Sequence, residues 1–371
     1  MRGVWLLPRP RGHRGRIVRL ALDAMGGDHA PAAIVEGGLL FAREFPQHHL
    51  VLVGNERRVR EGLLLAPTPR NVSIHHASEV VEMDDQASAS IRTKRDSSMR
   101  ICFELIRGGE VSAMVSAGNS GAVMAGALLV LGRIPGIERP AFAALFPALK
   151  GGGRCVLLDA GANVDCKASH LAQFAVMGDA YVRKFLGIPK PRVAILSNGE
   201  EDSKGTPLTR EALAILRNSG LSFIGYVEGK DIFSGDVEVV VTDGFTGNIV
   251  LKTSEGTGMA VAWLIRAAIE RAGLSEKLGA LLLKPTLAAL RKVVDYAEYG
   301  GAPLLGIDGV GIVAHGRSNP KAIKNALKAA LQTAEGQVRE EIAARIDQAH
   351  TWLPLSNRKR AKEATGRVVS E

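Results

Sequence analysis

The sequence has few aromatic residues, few cysteines and no long apolar run. Only 5% of its 371 residues are aromatic, so no platform for stacking the bases of single-stranded nucleic acid is evident. The three cysteines (Cys102, Cys155 and Cys166) are odd in number and widely spaced, which argues against a disulfide framework and indicates a reducing compartment. The longest apolar stretch, residues 122–132, is well short of the ~20 residues that span a bilayer.

The net charge of +9 is concentrated at the two ends of the chain. The first 19 residues hold six Arg and no acidic residue, and residues 354–371 hold five basic and two acidic residues. The region between them is neutral, so the basic balance does not predict nucleic-acid binding. Residues 1–16 lack the apolar core of a signal peptide. We therefore expect a soluble protein, attached at most to a membrane surface.

Several common signatures of catalytic and nucleotide sites are missing. There is no G-x-G-x-x-G, no G-x-x-x-x-G-K-[ST], no G-x-S-x-G and no H-E-x-x-H, so neither a dinucleotide cofactor nor a metal is expected. Ser318-Asn-Pro-Lys321 matches S-x-x-K, but a helix cap followed by proline explains it better. From this cap the sequence predicts a helix through about Ile346.

Short β-branched runs alternate with helical patterns, which predicts strands buried on both faces of a largely parallel sheet. Each run ends in a loop rich in Gly and polar residues, and ligands bind beyond the carboxyl ends of such strands. We therefore predict a three-layer α/β/α fold whose polar loops gather at one edge of the sheet. The predicted strands are Ile17–Leu22, Leu50–Val53, Ala113–Val115, Val156–Leu158, Val193–Leu196 and Val237–Val241.

Two of these loops open helices and resemble anion sites. Gly118-Asn119-Ser120-Gly121 precedes one helix and Thr246-Gly247-Asn248 precedes another, with Lys252 one turn later. Backbone N–H groups and short hydroxyls at a helix N-terminus bind anions. A tight, capped turn explains either loop alone, but several such loops at one edge favour a binding site.

A basic cluster, Arg92-Thr-Lys94-Arg95-Asp96-Ser97-Ser98, suits a phosphate or another oxyanion. A solvated helix start explains it equally well. Carboxylates in the strand-end loops either orient hydrogen-bond donors or cap helices. These carboxylates are Asp23, Asp28, Asp159, Asp165 and Asp243.

Residues 274–306 are apolar, with Pro285 in the middle. Proline should break this stretch into two short helices. Such a hairpin would either pack in a core or dimer interface, or contact a membrane surface or an acyl chain.

The sequence resembles a known family, the bacterial phosphate acyltransferases of phospholipid synthesis (PlsX type, acyl-acyl-carrier-protein:phosphate acyltransferases). Several long motifs match in the expected order between about residues 18 and 340. Ser120 stands where the family has Thr, and the hydroxyl is kept. The matching motifs are Ala21-Leu-Asp-Ala-Met-Gly-Gly-Asp28, Val115-Ser-Ala-Gly-Asn-Ser-Gly-Ala122, Leu158-Asp-Ala-Gly-Ala-Asn163, Ser197-Asn-Gly-Glu-Glu201 and Val241-Thr-Asp-Gly-Phe-Thr-Gly-Asn-Ile-Val-Leu-Lys252.

The resemblance implies transfer of a long-chain acyl group from acyl carrier protein to orthophosphate, without a cofactor. It also implies a fold similar to phosphotransacetylases and isocitrate/isopropylmalate dehydrogenases, and a homodimer in the cytoplasm, loosely attached to the inner face of the membrane. The partner enzyme there would be the acyl-phosphate-dependent glycerol-3-phosphate acyltransferase. Residues 17–349 would form the catalytic domain, with residues 1–16 as a basic extension and residues 350–371 as a basic tail.

Our site hypothesis follows from these motifs. The predicted catalytic residues are Asp23, Asn119, Ser120, Asp243 and Lys252. The predicted residues for binding phosphate and the acyl thioester are Gly26, Gly27, Asp28, Arg92, Lys94, Ser97, Ser98, Gly118, Gly121, Asp159, Asn163, Glu200, Glu201, Lys204, Thr246, Gly247 and Asn248.

The chemistry requires an anion cradle rather than a strong base. Phosphate is already largely dianionic near neutral pH, by analogy with a second pKa of ~6 in phosphate esters, and a thiol of pKa ~8.5 leaves as thiolate. We therefore predict direct attack without an acyl-enzyme. Two alternatives stay open at this stage: a phosphotransacetylase acting on short acyl-CoA, and a membrane-docked scaffold for lipid synthesis.

Overall fold

A single mixed sheet organises the chain in the computed structural model, which describes residues 17–64, 67–150, 153–294 and 300–353. The order of its strands is β3-β2-β1-β4-β11-β10-β5-β6-β9-β7-β8. The strands are β1 (Arg19–Asp23), β2 (His49–Gly54), β3 (Val72–His76), β4 (Ala113–Ser116), β5 (Ala141–Pro147), β6 (Arg154–Leu158), β7 (Arg192–Leu196), β8 (Ser222–Val227), β9 (Val239–Val241), β10 (Ala302–Leu305) and β11 (Gly311–Val313).

Helices cover both faces of this sheet, so the predicted three-layer α/β/α fold is confirmed. Helices α1, α2 and α10 lie with α6, α7 and α11 on one face, and α3, α4, α5 and the first turns of α8 lie on the other. The helices are α1 (Ala32–Glu44), α2 (Glu56–Leu63), α3 (Ala87–Thr93), α4 (Ser98–Arg107), α5 (Ser120–Val130), α6 (Ala168–Tyr181), α7 (Pro207–Leu216), α8 (Gly244–Arg271), α9 (Leu274–Val294), α10 (Pro320–Glu335) and α11 (Val338–Gln348).

Each of the six predicted strands overlaps an observed one, because buried β-branched runs are a strong local signal. The predicted helix from Pro320 to about Ile346 is instead two helices. The chain turns at Gly336 and at Gln337, whose φ of +53° lies in the left-handed region. A non-glycine residue held there ends the helical ladder, so α11 starts anew.

The prediction for residues 274–306 is wrong in two respects. Helix α9 continues through Pro285, and residues 302–305 form β10 inside the sheet. The neighbouring Leu281, Leu282 and Leu283 are exposed, so water can satisfy the backbone carbonyl that loses its partner to proline. The helical hairpin is therefore formed by α8 against α9 rather than within residues 274–306.

The strands of the two halves of the sheet run in opposite directions. Strands β1 to β4 and β11 are parallel to one another, as are β6 to β9, but β5 pairs antiparallel with β6. We name the edge at the carboxyl ends of β1, β4 and β11 rim A, and the edge at the carboxyl ends of β6, β7 and β9 rim B. Because the directions are opposite, rim A and rim B are opposite edges of the sheet.

The prediction that all the polar loops gather at one edge is therefore wrong. Its cause is the short connection between β5 and β6, since a hairpin joins only antiparallel strands, whereas a parallel pair needs a crossover of a dozen or more residues. Strand β5 ends at Pro147 and β6 begins at Arg154, and these two residues pair with each other in the antiparallel ladder. The loops around Asp23 and Asn119 lie at rim A, and those around Asp159, Glu200 and Thr246 lie at rim B.

Candidate functional site

One buried carboxylate, that of Asp23, joins three elements at rim A. Its Oδ1 accepts a hydrogen bond from Ser98 Oγ at the start of α4, and its Oδ2 accepts one from Ser116 Oγ at the end of β4, each at 2.6 Å. Ser116 Oγ in turn accepts from Gly118 N at 3.0 Å. Burial raises the pKa of Asp23, while the two hydroxyl donors act in the opposite direction.

Glycines let the loops after β1 and β4 approach each other at this point. A Cβ on Gly26 would lie 2.6 Å from Asp23 Oδ2 and 2.8 Å from Gly118 N. Gly27 has a φ of +103°, which side chains other than glycine rarely allow. The predicted glycines of rim A therefore bring two backbones together, as a site for a small ligand requires.

A third loop of rim A, residues 314–318, was not among the predicted site loops, and the sequence around Ser318 predicted only a helix cap, which Asn319 forms. Gly316 O accepts from Asp28 N at 2.9 Å, and the exposed Arg317 guanidinium lies 3.9 Å from Asp28 Oδ2. The Ser318 hydroxyl is buried and has no hydrogen-bond partner among the described residues. The missed signal was the same pattern as elsewhere: a short apolar run, Gly311–Val313, followed by polar residues and a helix start.

Asn119 holds rim A together rather than offering free donors to a ligand. Its Oδ1 caps α5 by accepting from Ala122 N at 3.1 Å. Its Nδ2 donates to Met83 O at 3.0 Å and to Asp85 O at 3.3 Å. Both amide hydrogens are thus used, so Asn119 positions other groups and the structure does not support direct phosphate binding by its side chain.

The first turn of α5 remains open to a ligand. Among the described residues, none accepts a hydrogen bond from the backbone N–H of Ser120 or Gly121, and both residues are exposed. The turn contains no acidic residue. Free N–H groups and the positive end of the helix dipole therefore point outward at rim A, which is a favourable place for an anion.

Most of the predicted basic cluster is engaged within the protein. Lys94 Nζ donates to Val80 O at 2.8 Å and pairs with Asp85 Oδ2 at 2.6 Å, and this hydrogen bond lowers the pKa of Asp85. Ser97 Oγ donates to Lys94 O at 2.8 Å, and Ser98 donates to Asp23. Two cations of this cluster, Arg92 on α3 and Arg95 just after it, are exposed and form no ion pair with the described residues.

At rim B, the predicted residues mostly satisfy one another. The buried Asp159 carboxylate accepts from the backbone N–H of Phe142, Gly161 and Ala162 at 2.9–3.1 Å. It also accepts from Asn163 N at 2.6 Å and Asn163 Nδ2 at 2.9 Å. Burial raises the pKa of Asp159, and these donors oppose the shift. Asp159 and Asn163 thus build the loop instead of facing a ligand.

The start of α8, also at rim B, is already occupied by a carboxylate. Asp243 accepts from Thr246 N and Thr246 Oγ1, each at 2.8 Å. A Cβ on Gly247 would lie 1.9 Å from Asp159 O, so Gly247 serves a close approach of backbones, and Asn248 lies against Gly161. A negative cap disfavours a second anion, so the structure does not support phosphate binding at the start of α8.

Lys252 lies two turns into α8, beyond the helix start at rim B. Helix α8 leaves rim B and runs back over the sheet face on which α5 lies, since Val250 and Leu251 pack against the same core as Ala122. Eight residues of helix carry Lys252 about 12 Å from Gly244 toward rim A. Its Nζ lies 2.9 Å from Glu255 Oε2 in a half-exposed pair.

The remaining predicted residues, Glu200, Glu201 and Lys204, lie in the loop after β7 at rim B. All three are exposed, and Glu200 pairs with Lys230 at 3.8 Å. Asn198 Oδ1 closes this loop by accepting from Gly205 N at 3.0 Å. The loop is therefore on the opposite edge from the open turn of α5.

The described residues contain no group of three or more His, Cys, Asp or Glu that could hold a metal ion. Two cysteines are buried, and burial raises the pKa of the half-buried Cys166 thiol to about 12. No helix in the described ranges is long and apolar enough to cross a membrane. The chemistry of rim A is thus that of backbone amides, hydroxyls and cations.

Comparisons with known proteins show the family to which the chain belongs. The family described as "Fatty acid synthesis protein" matches residues 18–341. A phosphate acyltransferase of Myxococcus xanthus is 68% identical over 95% of this chain and 100% of its own length. A phosphate acyltransferase of Geobacter sulfurreducens is 51% identical over 89% of this chain and 94% of its own.

Solved structures confirm the predicted similarity of fold. A phosphotransacetylase from Streptococcus pyogenes superposes with a TM-score of 0.60 at 19% identity, covering 88% of this chain and 95% of that one. A phosphotransacetylase from Staphylococcus aureus gives a TM-score of 0.55 at 16% identity, covering 87% and 95%. At these identities the similarity concerns the fold alone.

Proposed function

Because the chain belongs to the family of fatty acid synthesis proteins whose similar curated members are phosphate acyltransferases, we propose that it transfers a long-chain fatty acyl group from acyl carrier protein to orthophosphate. The chain is accordingly an acyltransferase of lipid synthesis. The acyl-carrier-protein donor, the direct attack and the residues below are our proposal. The product would be an acyl phosphate for the acylation of glycerol 3-phosphate.

The observation that supports this proposal best is the open first turn of α5 at rim A. The backbone N–H groups of Ser120 and Gly121, with the Ser120 hydroxyl, would bind phosphate. Arg317 from the neighbouring loop and Lys252 from α8 would balance its charge. Asn119 and Asp23 would position this turn, and Arg92 would add to the positive field.

The reaction needs little acid–base catalysis in this arrangement. A phosphate oxygen attacks the thioester carbonyl carbon, the C–O bond forms, the C–S bond breaks, and the thiolate takes a proton from solvent. The negative charge that develops on the carbonyl oxygen is stabilised by the N–H groups and cations that already surround the phosphate. No side chain has to carry the acyl group.

The rim B residues would act indirectly. Asp159, Asn163, Asp243, Thr246, Gly247 and Asn248 fix the root of α8 through the hydrogen bonds and close contacts described above. When the N-terminus of α8 is fixed in this way, the position of Lys252, two turns farther along the helix, is fixed as well. Glu200, Glu201 and Lys204 remain candidates for shaping an entrance on that side.

The exposed apolar face of the α8–α9 hairpin is a candidate surface for binding a second subunit or a membrane. The hairpin exposes Met259, Trp263, Leu264, Leu278, Leu281 and Leu282. A set of exposed apolar side chains of this kind marks an interaction surface. Together with the family resemblance it supports a homodimer and a transient contact with the inner face of the membrane, where the acyl-phosphate:glycerol-3-phosphate acyltransferase would receive the product.

One assay tests the proposed reaction directly. The purified protein, given palmitoyl-acyl carrier protein and phosphate, should form an acyl phosphate that hydroxylamine traps, with release of the carrier thiol. Turnover with acetyl-CoA only would replace the proposal by a phosphotransacetylase. Binding to anionic vesicles without any turnover would replace it by a membrane-docked scaffold.

A further inference from the structure

Residues 79–86 lie beside the first turn of α5 at rim A. We name this segment of eight residues the strap. Two side chains fasten it to its surroundings. Asn119 Nδ2 donates to Met83 O and Asp85 O, and Lys94 Nζ donates to Val80 O and pairs with Asp85 Oδ2. Within the strap, Glu82 N donates to Asp85 Oδ2 at 2.8 Å. The strap is thus held against the first turn of α5.

The side chain of Met83 reaches the next loop of the rim. Its Cε would lie 3.1 Å from a Cβ built on Gly316, and Gly316 O is the acceptor for Asp28 N. Met83 therefore touches the β4 loop through its backbone and the β11 loop through its side chain. It is 46% exposed, and the groups shown next to it are the Gly316 backbone and the Asn119 amide.

An exposed, flexible apolar side chain in such polar surroundings suits an apolar ligand. Methionine adapts to irregular apolar surfaces because it is unbranched and polarisable. Asn119 caps the helix whose N–H groups are open to phosphate, and the same side chain holds the backbone of Met83. One residue thereby fixes the distance between the anion site and the apolar contact.

We propose that Met83 binds the methylene groups of the acyl chain next to the thioester, and that Asn119 positions it for this contact. This proposal rests on the proposed function, because it places the thioester carbonyl carbon beside the phosphate at the first turn of α5. The ligand class is a fatty acyl thioester of four or more carbons. An acetyl group, which has no methylene, would not reach Met83.

The test is a comparison of KM values. Met83→Ser should raise the KM for palmitoyl-acyl carrier protein about tenfold, which corresponds to about 1.4 kcal/mol, and leave the KM for phosphate within twofold. Met83→Leu should restore the wild-type value, since it keeps the apolar volume. Leu129→Ser is the matched control, because Leu129 is also 46% exposed but lies at the other end of α5. It should leave both KM values unchanged.

The role of Asn119 is tested in a double-mutant cycle. Asn119→Ser keeps a side-chain cap for α5 but removes both donors to the strap. It should raise the KM for the acyl donor by a similar factor as Met83→Ser, and the double variant should be no worse than either alone. Additive effects, or equal rises in both KM values, would show that the strap is merely structural.

The result that overturns the proposal is a Met83→Ser enzyme with a wild-type KM for palmitoyl-acyl carrier protein. Thermal unfolding of each variant verifies that it is folded. Failure of the proposed function is a separate outcome, because it appears as a wild-type enzyme without turnover of acyl carrier protein thioesters. A Met83 effect of equal size with acetyl and palmitoyl donors also contradicts the proposal.

Discussion

Asp23 and Ser116 are 93 residues apart in the chain, yet the carboxylate of one accepts a 2.6 Å hydrogen bond from the hydroxyl of the other. Through this bond the end of β1 fixes the end of β4, from which α5 and its open first turn begin. Because the carboxylate is 1% exposed, water cannot replace either hydroxyl donor. The geometry of rim A therefore depends on Asp23.

Substitution of Asp23 by Asn should reduce activity without abolishing the fold. An amide offers one acceptor oxygen to two hydroxyl donors, so one buried hydrogen bond is lost, at about 1–3 kcal/mol. We expect kcat/KM to fall by about tenfold or more, whereas the far-ultraviolet circular dichroism spectrum stays native. Wild-type kinetics would show that Asp23 does not position the site.

The same variant should change how stability depends on pH. Burial raises the pKa of Asp23 in the folded state above its ordinary 3.8. In the pH window between the ordinary pKa and the raised one, the folded state therefore binds more protons than the unfolded state. The contribution of Asp23 to the free energy of unfolding then falls as pH rises through that window and is constant above it. In urea denaturation at several pH values, the free energy of unfolding of the wild-type protein should fall relative to that of Asp23→Asn as the pH rises through this window. A constant or rising difference would contradict the prediction.

An acidic residue in the first turn of α5 should weaken phosphate binding without weakening the helix. Ser120→Asp places a negative charge at the helix N-terminus. This charge interacts favourably with the helix dipole, which stabilises the helix by about 0.3–1 kcal/mol, but it repels a bound anion. We expect the KM for phosphate to rise at least tenfold while Tm is unchanged or slightly higher. The matched control is Phe245→Asp, because the exposed Phe245 lies in the first turn of α8 at rim B. A rise in the phosphate KM for Phe245→Asp alone would move the anion site to rim B.

The two cations assigned to phosphate should behave differently from other surface lysines. Arg317→Ala and Lys252→Ala should each raise the KM for phosphate several-fold, since each removes a charge that balances the anion. The exposed Lys277, on α9, provides the control Lys277→Ala, with an unchanged KM. If the KM for phosphate of Lys252→Ala equals that of Lys277→Ala, α8 does not reach the anion site.

No covalent acyl-enzyme should form. The thiol of Cys166 has a pKa raised to about 12, and Cys102 and Cys155 are buried, so thiolates are scarce at neutral pH. Palmitoyl-acyl carrier protein without phosphate should leave the protein mass unchanged, and native thiols should react slowly with an alkylating agent at pH 8. An acylated protein that disappears on addition of phosphate would replace direct attack by a two-step mechanism.

The sequence identified the loops of rim A but not which of their polar groups are engaged within the protein. Gly26 and Gly118 were identified because their neighbours in the chain reveal them, whereas Asn119 was predicted to bind phosphate and instead caps α5. The use of Lys94, Ser97 and Ser98 was not foreseen, since each is engaged by a partner whose position follows only from the fold. Arg317 and Met83 were missed because no motif marks an isolated arginine or methionine.

What the sequence by itself determined is the set of strands, helix starts and glycine-rich loops, because these depend on residues close together in the chain. The tertiary structure alone decided which loops share an edge and which polar groups remain available to a ligand. The hairpin between β5 and β6 reverses half of the sheet, and bonds such as Ser98 to Asp23 join residues 75 positions apart. Strand direction and long-range hydrogen bonding cannot be recognised in a local pattern. Here they separate an open helix N-terminus at rim A from an acidic loop at rim B whose carboxylates are already hydrogen-bonded.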